Sequence, residues 1–264
     1  MIDIRNVRKY FHMGDVNEVL ALDGVTLDVR DGDFITVIGS NGAGKSTFLN
    51  AVAGCFPVDE GSIVFDDTDV TKWPEHRRAG YVGRVFQDPL LGTCAQATIE
   101  QNLALASRRG KARRLTLGVR RADRELFRER LAQLKLGLED RLGDAAGLLS
   151  GGQRQALTMI MATLVRPRLL LLDEHTAALD PKTANQILDI TEEIVEQQRL
   201  TAMMVTHNMH HAVSMGNRLV MFHRGRIILD IAGEEKKTLK VEDLLERFYS
   251  LKGEEFVSDR MLLS

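Results

Sequence analysis

The sequence predicts an α/β fold built around a mostly parallel sheet, and three segments carry this prediction. Asp33–Gly39 (DFITVIG) is rich in β-branched residues and leads into a glycine-rich loop followed by a helical pattern. Arg168–Glu174 (RLLLLDE) and Thr201–His207 (TAMMVTH) are continuous apolar runs with polar ends, which is typical of strands buried on both faces. The chain has 264 residues and 44% hydrophobic content, enough for one substantial core.

Other segments predict elements around that core. Between Pro89 and Ser150 the pattern changes to a charged helical periodicity, which indicates a helical insertion. Arg218–Ile231 has two apolar runs around Arg224-Gly225 and predicts a hairpin. From residue 240 the sequence predicts a short amphipathic helix followed by a loose tail.

Composition argues against several classes of protein. The net charge of -2 and the pI near 6.4 provide no basic field for nucleic acid, so no nucleic-acid partner is expected. Cys55 and Cys94 are far apart, which favours neither a disulfide framework nor a zinc site and fits a reducing cytoplasm. The apolar run at 156–165 is shorter than the ~20 residues that a membrane span needs. Another chain is therefore expected to do any membrane crossing.

The strongest local motif is the loop GSNGAGKS, which fits the pattern G-x-x-x-x-G-K-[ST] between a strand and a helix. Backbone amides of such a loop close around phosphate oxygens, and the helix that follows presents its positive end. Lys45 is expected to add charge at the outer phosphates of a nucleotide, and Ser46 to bind Mg2+ through its hydroxyl. The predicted nucleotide-binding residues of this loop are Gly39, Ser40, Asn41, Gly42, Ala43, Gly44, Lys45, Ser46 and Thr47.

Two carboxylates end the leucine-rich strand. Because ligands of parallel sheets bind at the carboxyl ends of the strands, Asp173 and Glu174 are expected beside the phosphate loop. We expect Asp173 to hold Mg2+ through its water shell and Glu174 to polarise the water that attacks the phosphate.

A second glycine pair occurs in LSGGQ, Leu149–Gln153. Ser150 is a good helix N-cap, and a helical run follows from Gln153 to Val165. The pair either starts a helix and does nothing more, or it offers a second anion-binding helix end. On physical grounds alone both interpretations stay open.

Taken together, GSNGAGKST, LSGGQ, LLLLDE and the strand-end His207 resemble the ATP-binding cassette ATPases, the nucleotide-binding subunits of ABC transporters. The resemblance extends from about Ile2 to Ile231. It implies a P-loop NTPase (RecA-like) core at about 1–88 and 156–231, with an N-terminal antiparallel β region. A helical subdomain is implied at about 89–155, and a C-terminal helix and tail at 232–264.

The resemblance also implies roles for residues outside the phosphate loop. Phe11 is similar to the aromatic residue that stacks on adenine, with Tyr10 as the neighbouring alternative and a core aromatic as the competing interpretation. Gln87 resembles the glutamine that touches Mg2+ and the attacking water, and His207 the histidine that contacts the γ-phosphate. Asp180 resembles a residue of the dimer seam. Four further residues resemble the signature that closes on the partner's ATP, namely Ser150, Gly151, Gly152 and Gln153.

The function implied by the resemblance is Mg-ATP hydrolysis by a head-to-tail homodimer that drives a separate integral-membrane permease. The motif sequences are similar to those of bacterial importers served by a substrate-binding protein. This similarity implies a position of the subunit at the cytoplasmic face of the membrane. An amino acid is the expected cargo. A cytosolic ABC ATPase of iron-sulfur cluster assembly is the alternative, whereas a small-molecule kinase has no use for LSGGQ.

Three features depart from this pattern or add to it. His175 follows Glu174 at a position where proline or alanine is commoner in the family. The insert Ser107–Arg121 carries seven basic residues and no acidic one, which predicts a solvated loop or a contact with lipid or permease. His210 and His211 follow His207, as a metal cluster or, more commonly, as helix-surface residues.

Overall fold

A computed structural model describes residues 1–111 and 118–250, and it divides the chain into two compact units. The first unit comprises Met1–Glu75 with Thr201–Ser264, and the second comprises His76–Leu200. The predicted division into a core and a helical subdomain uses other boundaries and stays a prediction. The predicted C-terminal tail beyond residue 250 lies outside the described residues.

The strands of the described residues follow one another along the chain as β1 (Ile2–Phe11), β2 (Val19–Val29), β3 (Phe34–Gly39), β4 (Glu60–Phe65), β5 (Thr68–Asp69), β6 (Val82–Val85), β7 (Leu169–Asp173), β8 (Ala202–Val205), β9 (Arg218–His223) and β10 (Arg226–Ala232). The helices are α1 (Lys45–Ala53), α2 (Glu75–Arg78), α3 (Pro89–Gly92), α4 (Ile99–Ala106), α5 (Arg121–Ala132), α6 (Gly151–Thr163), α7 (Pro181–Gln197), α8 (Met209–Ser214), α9 (Glu234–Thr238) and α10 (Val241–Ser250).

The first unit begins with an antiparallel sheet in the order β2-β1-β4-β5, which confirms the predicted N-terminal β region. Its apolar side chains alternate along β1, where Ile2, Ile4 and Val7 are buried. This alternation is what an antiparallel sheet with one covered face requires.

The parallel part of the first unit centres on β3, which pairs with β8 on one side and β9 on the other. The predicted hairpin is also present: β9 and β10 pair antiparallel, and Arg224 and Gly225 turn between them with positive φ angles. The predicted C-terminal helix is α10, whose Leu244 and Phe248 pack in an apolar cluster that includes Met221 of β9.

The second unit contains the parallel pair β6 and β7 and helices α3 to α7. Leu169–Leu172 of β7 are all fully buried, as the continuous apolar run predicted. The helical content predicted between Pro89 and Ser150 is confirmed by α3, α4 and α5, and α5 buries Phe127 and Leu131. None of the helices in the described ranges combines the length and the apolar character of a membrane span.

A half-buried arginine connects strands of the first unit. Arg218 donates to both carboxylate oxygens of Asp230 at 2.7 and 2.6 Å, and to Oδ2 of Asp33 at 3.1 Å. The hydrogen bonds to Asp230 raise the pKa of the guanidinium above its usual value. Arg218 therefore stays charged, and it joins β9 to β10 and to the turn before β3.

Replacing Arg218 with methionine is expected to lower the free energy of unfolding by about 2 to 3 kcal/mol, because the two carboxylates lose their shared partner. A chemical denaturation midpoint measures this loss. Arg226→Met provides the control, since Arg226 pairs with Asp23 but is 67% exposed, so its loss is expected to cost less than about 1 kcal/mol. Equal midpoints for the two variants would contradict the prediction.

Candidate functional site

The phosphate loop lies in the first unit, between β3 and α1. Gly44 precedes α1 with a φ of 102°, and a Cβ there would lie 2.7 Å from the Ala21 carbonyl oxygen. At Gly39 a Cβ would lie 2.3 Å from the carbonyl oxygen of Phe222. Both positions require glycine, because any side chain would strike backbone. The backbone path of the loop is therefore fixed by packing as well as by its predicted role.

Lys45 is 5% exposed, and its ammonium points into the loop. Its Nζ donates to the carbonyl oxygens of Gly39 at 2.7 Å and Ser40 at 3.1 Å. Ser46 follows it on the first turn of α1 and is exposed. The hairpin between β9 and β10 stabilises the loop, because the Gly225 amide donates to the Ala43 carbonyl at 2.9 Å. A positive charge and a helix N-terminus thus share one glycine-rich loop.

His207 lies at the same edge of this sheet as the phosphate loop. The strands β3 and β8 are parallel and Val37 pairs with Val205, so both strands end at the same side. Thr206 continues the pairing by donating to the Val37 carbonyl at 3.1 Å, and the exposed His207 follows it. The sequence prediction of a strand-end histidine is therefore confirmed, while its contact with a γ-phosphate stays a prediction.

The two histidines that follow belong to α8. Burial lowers the pKa of His211, and the neighbouring charges of His210 and His207 act in the same direction. Within the ranges that the structure describes, no group of three or more His, Cys, Asp or Glu side chains has an arrangement able to hold a metal ion. His210 is exposed and fits the helix-surface interpretation, whereas His211 is half-buried.

Phe11 ends β1 as a half-buried ring. It packs edge-on against Phe56, with ring centroids 5.4 Å apart, and the ammonium of Lys9 lies 5.7 Å from its centroid. The neighbouring Tyr10 is likewise half-buried, and its amide donates to Asp59. Phe11 therefore makes the packing contacts expected of an ordinary core aromatic. Stacking on adenine stays a prediction.

In the second unit, Gln87 and the two carboxylates follow paired strands. Strands β6 and β7 are parallel, with Val85 opposite Leu172, so Gln87 and Asp173 lie at the same edge. Gln87 is exposed, and Asp173 and Glu174 are half-buried. The parallel pairing thus places Gln87, Asp173 and Glu174 at the ends of neighbouring strands, while their roles at a nucleotide stay predictions.

Asp173 has a partner that sequence reasoning missed. The guanidinium of Arg84, on β6, lies 3.5 Å from Oδ2 of Asp173 and 4.5 Å from the ring centroid of Phe86. Both charged side chains are largely buried. The sequence did contain a sign of this contact, since Arg84 is a charged residue in the otherwise uncharged strand VGRV.

The LSGGQ segment caps α6. The Gln153 amide donates to Oγ of Ser150 at 3.3 Å, and the Ser150 amide donates to Oε1 of Gln153 at 3.2 Å. This reciprocal capping starts the helix at Gly151 rather than Gln153, and the helix ends at Thr163 rather than Val165. The interpretation of the motif as a helix cap is therefore confirmed, and anion binding stays a prediction.

The second glycine of the pair has a packing role that the sequence did not predict. A Cβ on Gly152 would lie 2.3 Å from Cγ2 of Thr183 in α7, and one on Gly151 would lie 3.3 Å from Cδ2 of Leu179. Asp180 caps α7 by accepting from the Thr183 amide at 3.1 Å, and the hydrogen bonds to Thr183 lower the pKa of this carboxyl. The N-terminal ends of α6 and α7 therefore meet within one unit.

The basic insert is not entirely a solvated loop. Arg109 is mostly buried, and its guanidinium donates to the carbonyl oxygens of Ala162, at 2.7 Å, and Val165, at the C-terminal end of α6. Burial lowers the pKa of this side chain. The solvated interpretation is therefore wrong for Arg109, while residues 112–117 of the insert lie outside the described residues.

These elements match known proteins. The family model described as ABC transporter matches residues 22–177, more than half of the chain. The chain belongs to the ABC transporter family. The ABC ATPase is 44% identical to the tyrosine transport ATP-binding protein of Clostridioides difficile strain R20291, over 94% of this chain and 98% of that protein.

A second relative and a solved structure agree with this membership. The sulfate/thiosulfate import ATP-binding protein CysA of Xanthomonas campestris pv. campestris is 37% identical over 86% of this chain, which spans 62% of that protein. A post-hydrolysis dimer of an ATP-binding cassette bound to ADP and Pi has a TM-score of 0.75 and 26% identity, covering 88% of this chain and 98% of that one. The P-loop NTPase fold is thereby confirmed. The ABC ATPase is an ATP-binding, ATP-hydrolysing subunit of an import-type transporter.

Proposed function

We propose that this ABC ATPase drives the uptake of an amino acid, with tyrosine as the first candidate. The support is the 44% identity to a tyrosine transport protein over nearly the full length of both chains. The proposal includes a separate integral-membrane permease, a substrate-binding protein that delivers the cargo, and a position of the ATPase at the cytoplasmic face of a bacterial membrane. The transport names of the relatives favour this function over a cytosolic assembly ATPase.

Uptake of labelled tyrosine tests the cargo. Cells that express the ABC ATPase with its permease and binding protein are expected to accumulate tyrosine, whereas cells with the Lys45→Ala variant are not. Methionine and sulfate, offered in excess, are expected not to compete. Equal accumulation in both strains, or competition by sulfate, would reject tyrosine as the cargo.

Individual residues have proposed roles at the nucleotide. Phe11 stacks on adenine, the loop Gly39–Thr47 encloses the phosphates, and His207 contacts the γ-phosphate. Ser46, Gln87 and Asp173 offer a hydroxyl, an amide and a carboxylate oxygen, a donor set that suits the hard cation Mg2+. Magnesium, when bound, neutralises charge on the phosphates. Glu174 accepts a proton from the attacking water.

The dimer is proposed to be head-to-tail, so that Ser150, Gly151, Gly152 and Gln153 close on the ATP of the partner while Asp180 lies at the seam. The capped N-terminal end of α6 supports this, because amides at a helix start attract phosphate oxygens. The dimeric state of the solved cassette with ADP and Pi is further support. Each nucleotide then binds one subunit by its phosphate loop and the other by its signature.

Mixing two inactive variants tests whether the signature acts on the partner. Lys45→Ala disables the phosphate loop, and Ser150→Arg obstructs the signature. In an equal mixture half of the dimers are mixed, and each mixed dimer has one complete site of two. The mixture is therefore expected to recover up to about a quarter of the wild-type ATPase rate.

The control is the double variant Lys45→Ala with Ser150→Arg. Added in equal amount to wild-type protein, it should lower the rate per wild-type subunit by about half, because the mixed dimers then have no complete site. No recovery in the first mixture, together with no loss in the second, would show that the signature acts within its own subunit.

A further inference from the structure

The buried side chain directly after Glu174 makes a hydrogen bond for which the proposed mechanism has no use. His175 is 2% exposed, and its Nε2 lies 3.0 Å from Oγ1 of Thr191, a fully buried residue of α7. This is the position at which the sequence departs from the commoner proline or alanine of the family. Neither of those residues has a side chain that can donate a hydrogen bond.

The direction of the hydrogen bond follows from the second contact of Thr191. Its hydroxyl donates to the Ile187 carbonyl at 2.7 Å, one turn earlier in α7. Because a hydroxyl has one proton, Oγ1 of Thr191 acts as the acceptor toward the imidazole. The Nε2 of His175 is therefore the protonated nitrogen, and the ring is connected to the helix backbone through Thr191.

The residue before His175 adopts a backbone conformation that needs support. Glu174 has a φ of 43°, in the left-handed region that non-glycine residues rarely adopt. Two consecutive turns follow, in which Ala177 donates to the Glu174 carbonyl at 2.9 Å and Leu179 donates to the Thr176 carbonyl at 3.1 Å. A short, hydrogen-bonded segment thus connects the end of β7 to the cap of α7.

We propose that His175 is a positioning residue, which holds the carboxylate of Glu174 in the orientation needed for hydrolysis by fastening this left-handed turn to α7. The inference rests on the proposed role of Glu174. The segment runs from the end of β7 to the start of α7. The hydrogen bond from His175 to Thr191 connects the beginning of this segment directly to α7. The turn that carries Glu174 therefore cannot relax without breaking a buried hydrogen bond.

Variants at both ends of the bond test this role. His175→Ala and Thr191→Val are each expected to lower kcat about 10-fold and to leave the KM for ATP unchanged, because a misplaced base slows chemistry more than binding. The double variant is expected to lose no more than either single variant. Thr191→Ser keeps the acceptor and is expected to retain activity.

Thr163→Val is the matched control for the valine change. Thr163 is buried in α6 and its hydroxyl donates to the Met159 carbonyl at 2.9 Å, the same helix bond that Thr191 makes. It lacks a histidine partner among the contacts described, so kcat should be unchanged. Thermal melting of every variant separates lost stability from lost turnover, and Thr191→Val, which is nearly isosteric, serves if His175→Ala does not fold.

Measuring His175→Ala in the Glu174→Gln background distinguishes positioning of the carboxylate from a purely structural role. If His175 acts through the carboxylate, His175→Ala should not lower the residual turnover of Glu174→Gln any further. An unchanged kcat for His175→Ala and Thr191→Val, or an equal loss in the Glu174→Gln background, would overturn the inference. Full turnover by Glu174→Gln alone would instead reject the proposed role of Glu174 itself.

Discussion

Replacing Glu174 with glutamine is expected to reduce steady-state ATP turnover by about 100- to 10,000-fold while ATP binding persists. Glutamine keeps the shape of the side chain but cannot accept a proton from the attacking water. Because ATP then stays bound and intact, the closed dimer is expected to accumulate. Turnover is measured by phosphate release, and the dimer by gel filtration with and without ATP.

Glu192→Gln is the control for this charge removal. Glu192 lies on α7 in the same unit, and burial raises the pKa of its carboxyl. The same chemical change there should leave turnover and dimerisation unaltered. Unimpaired phosphate release by Glu174→Gln would show that another group activates the water, and monomeric protein in the presence of ATP would count against the proposed closure.

Local patterns were enough to predict much of the fold. The runs around Leu169–Leu172 and Ala202–Val205 are strands because their residues are apolar without alternation, which only a doubly covered sheet accommodates. The loop between β3 and α1 was predictable because its glycines, lysine and serine are close in sequence. The hairpin around Gly225 was predictable for the same reason.

Contacts between residues distant in sequence were not predictable in this way. Arg84 meets Asp173 only because β6 and β7 pair in one register, and no pattern in the sequence states that register. Similarly, position 152 requires glycine because Thr183 of α7 packs where a side chain would lie. His175 stood out from the sequence only as an unusual residue, and its meaning depends on Thr191.

Lys45 is the residue whose loss is expected to weaken nucleotide binding most. Its buried ammonium donates to the carbonyls of Gly39 and Ser40, so its charge is held inside the loop that is proposed to enclose the phosphates. Hydrogen bonds to charged groups contribute about 1.5 to 3 kcal/mol each, so Lys45→Ala is expected to raise the Kd for ATP by about 10- to 150-fold.

Titration calorimetry with ATP measures this change, and two further variants define its cause. Lys237→Ala removes a largely exposed lysine of the first unit that pairs with Glu234, and it should leave the Kd unchanged. Lys45→Met keeps most of the side-chain stem but not the charge, so it should bind ATP as weakly as Lys45→Ala if charge is decisive. Unchanged ATP affinity in both Lys45 variants would remove this lysine from the phosphate site, because a charge held inside the loop cannot be lost without effect on a bound anion.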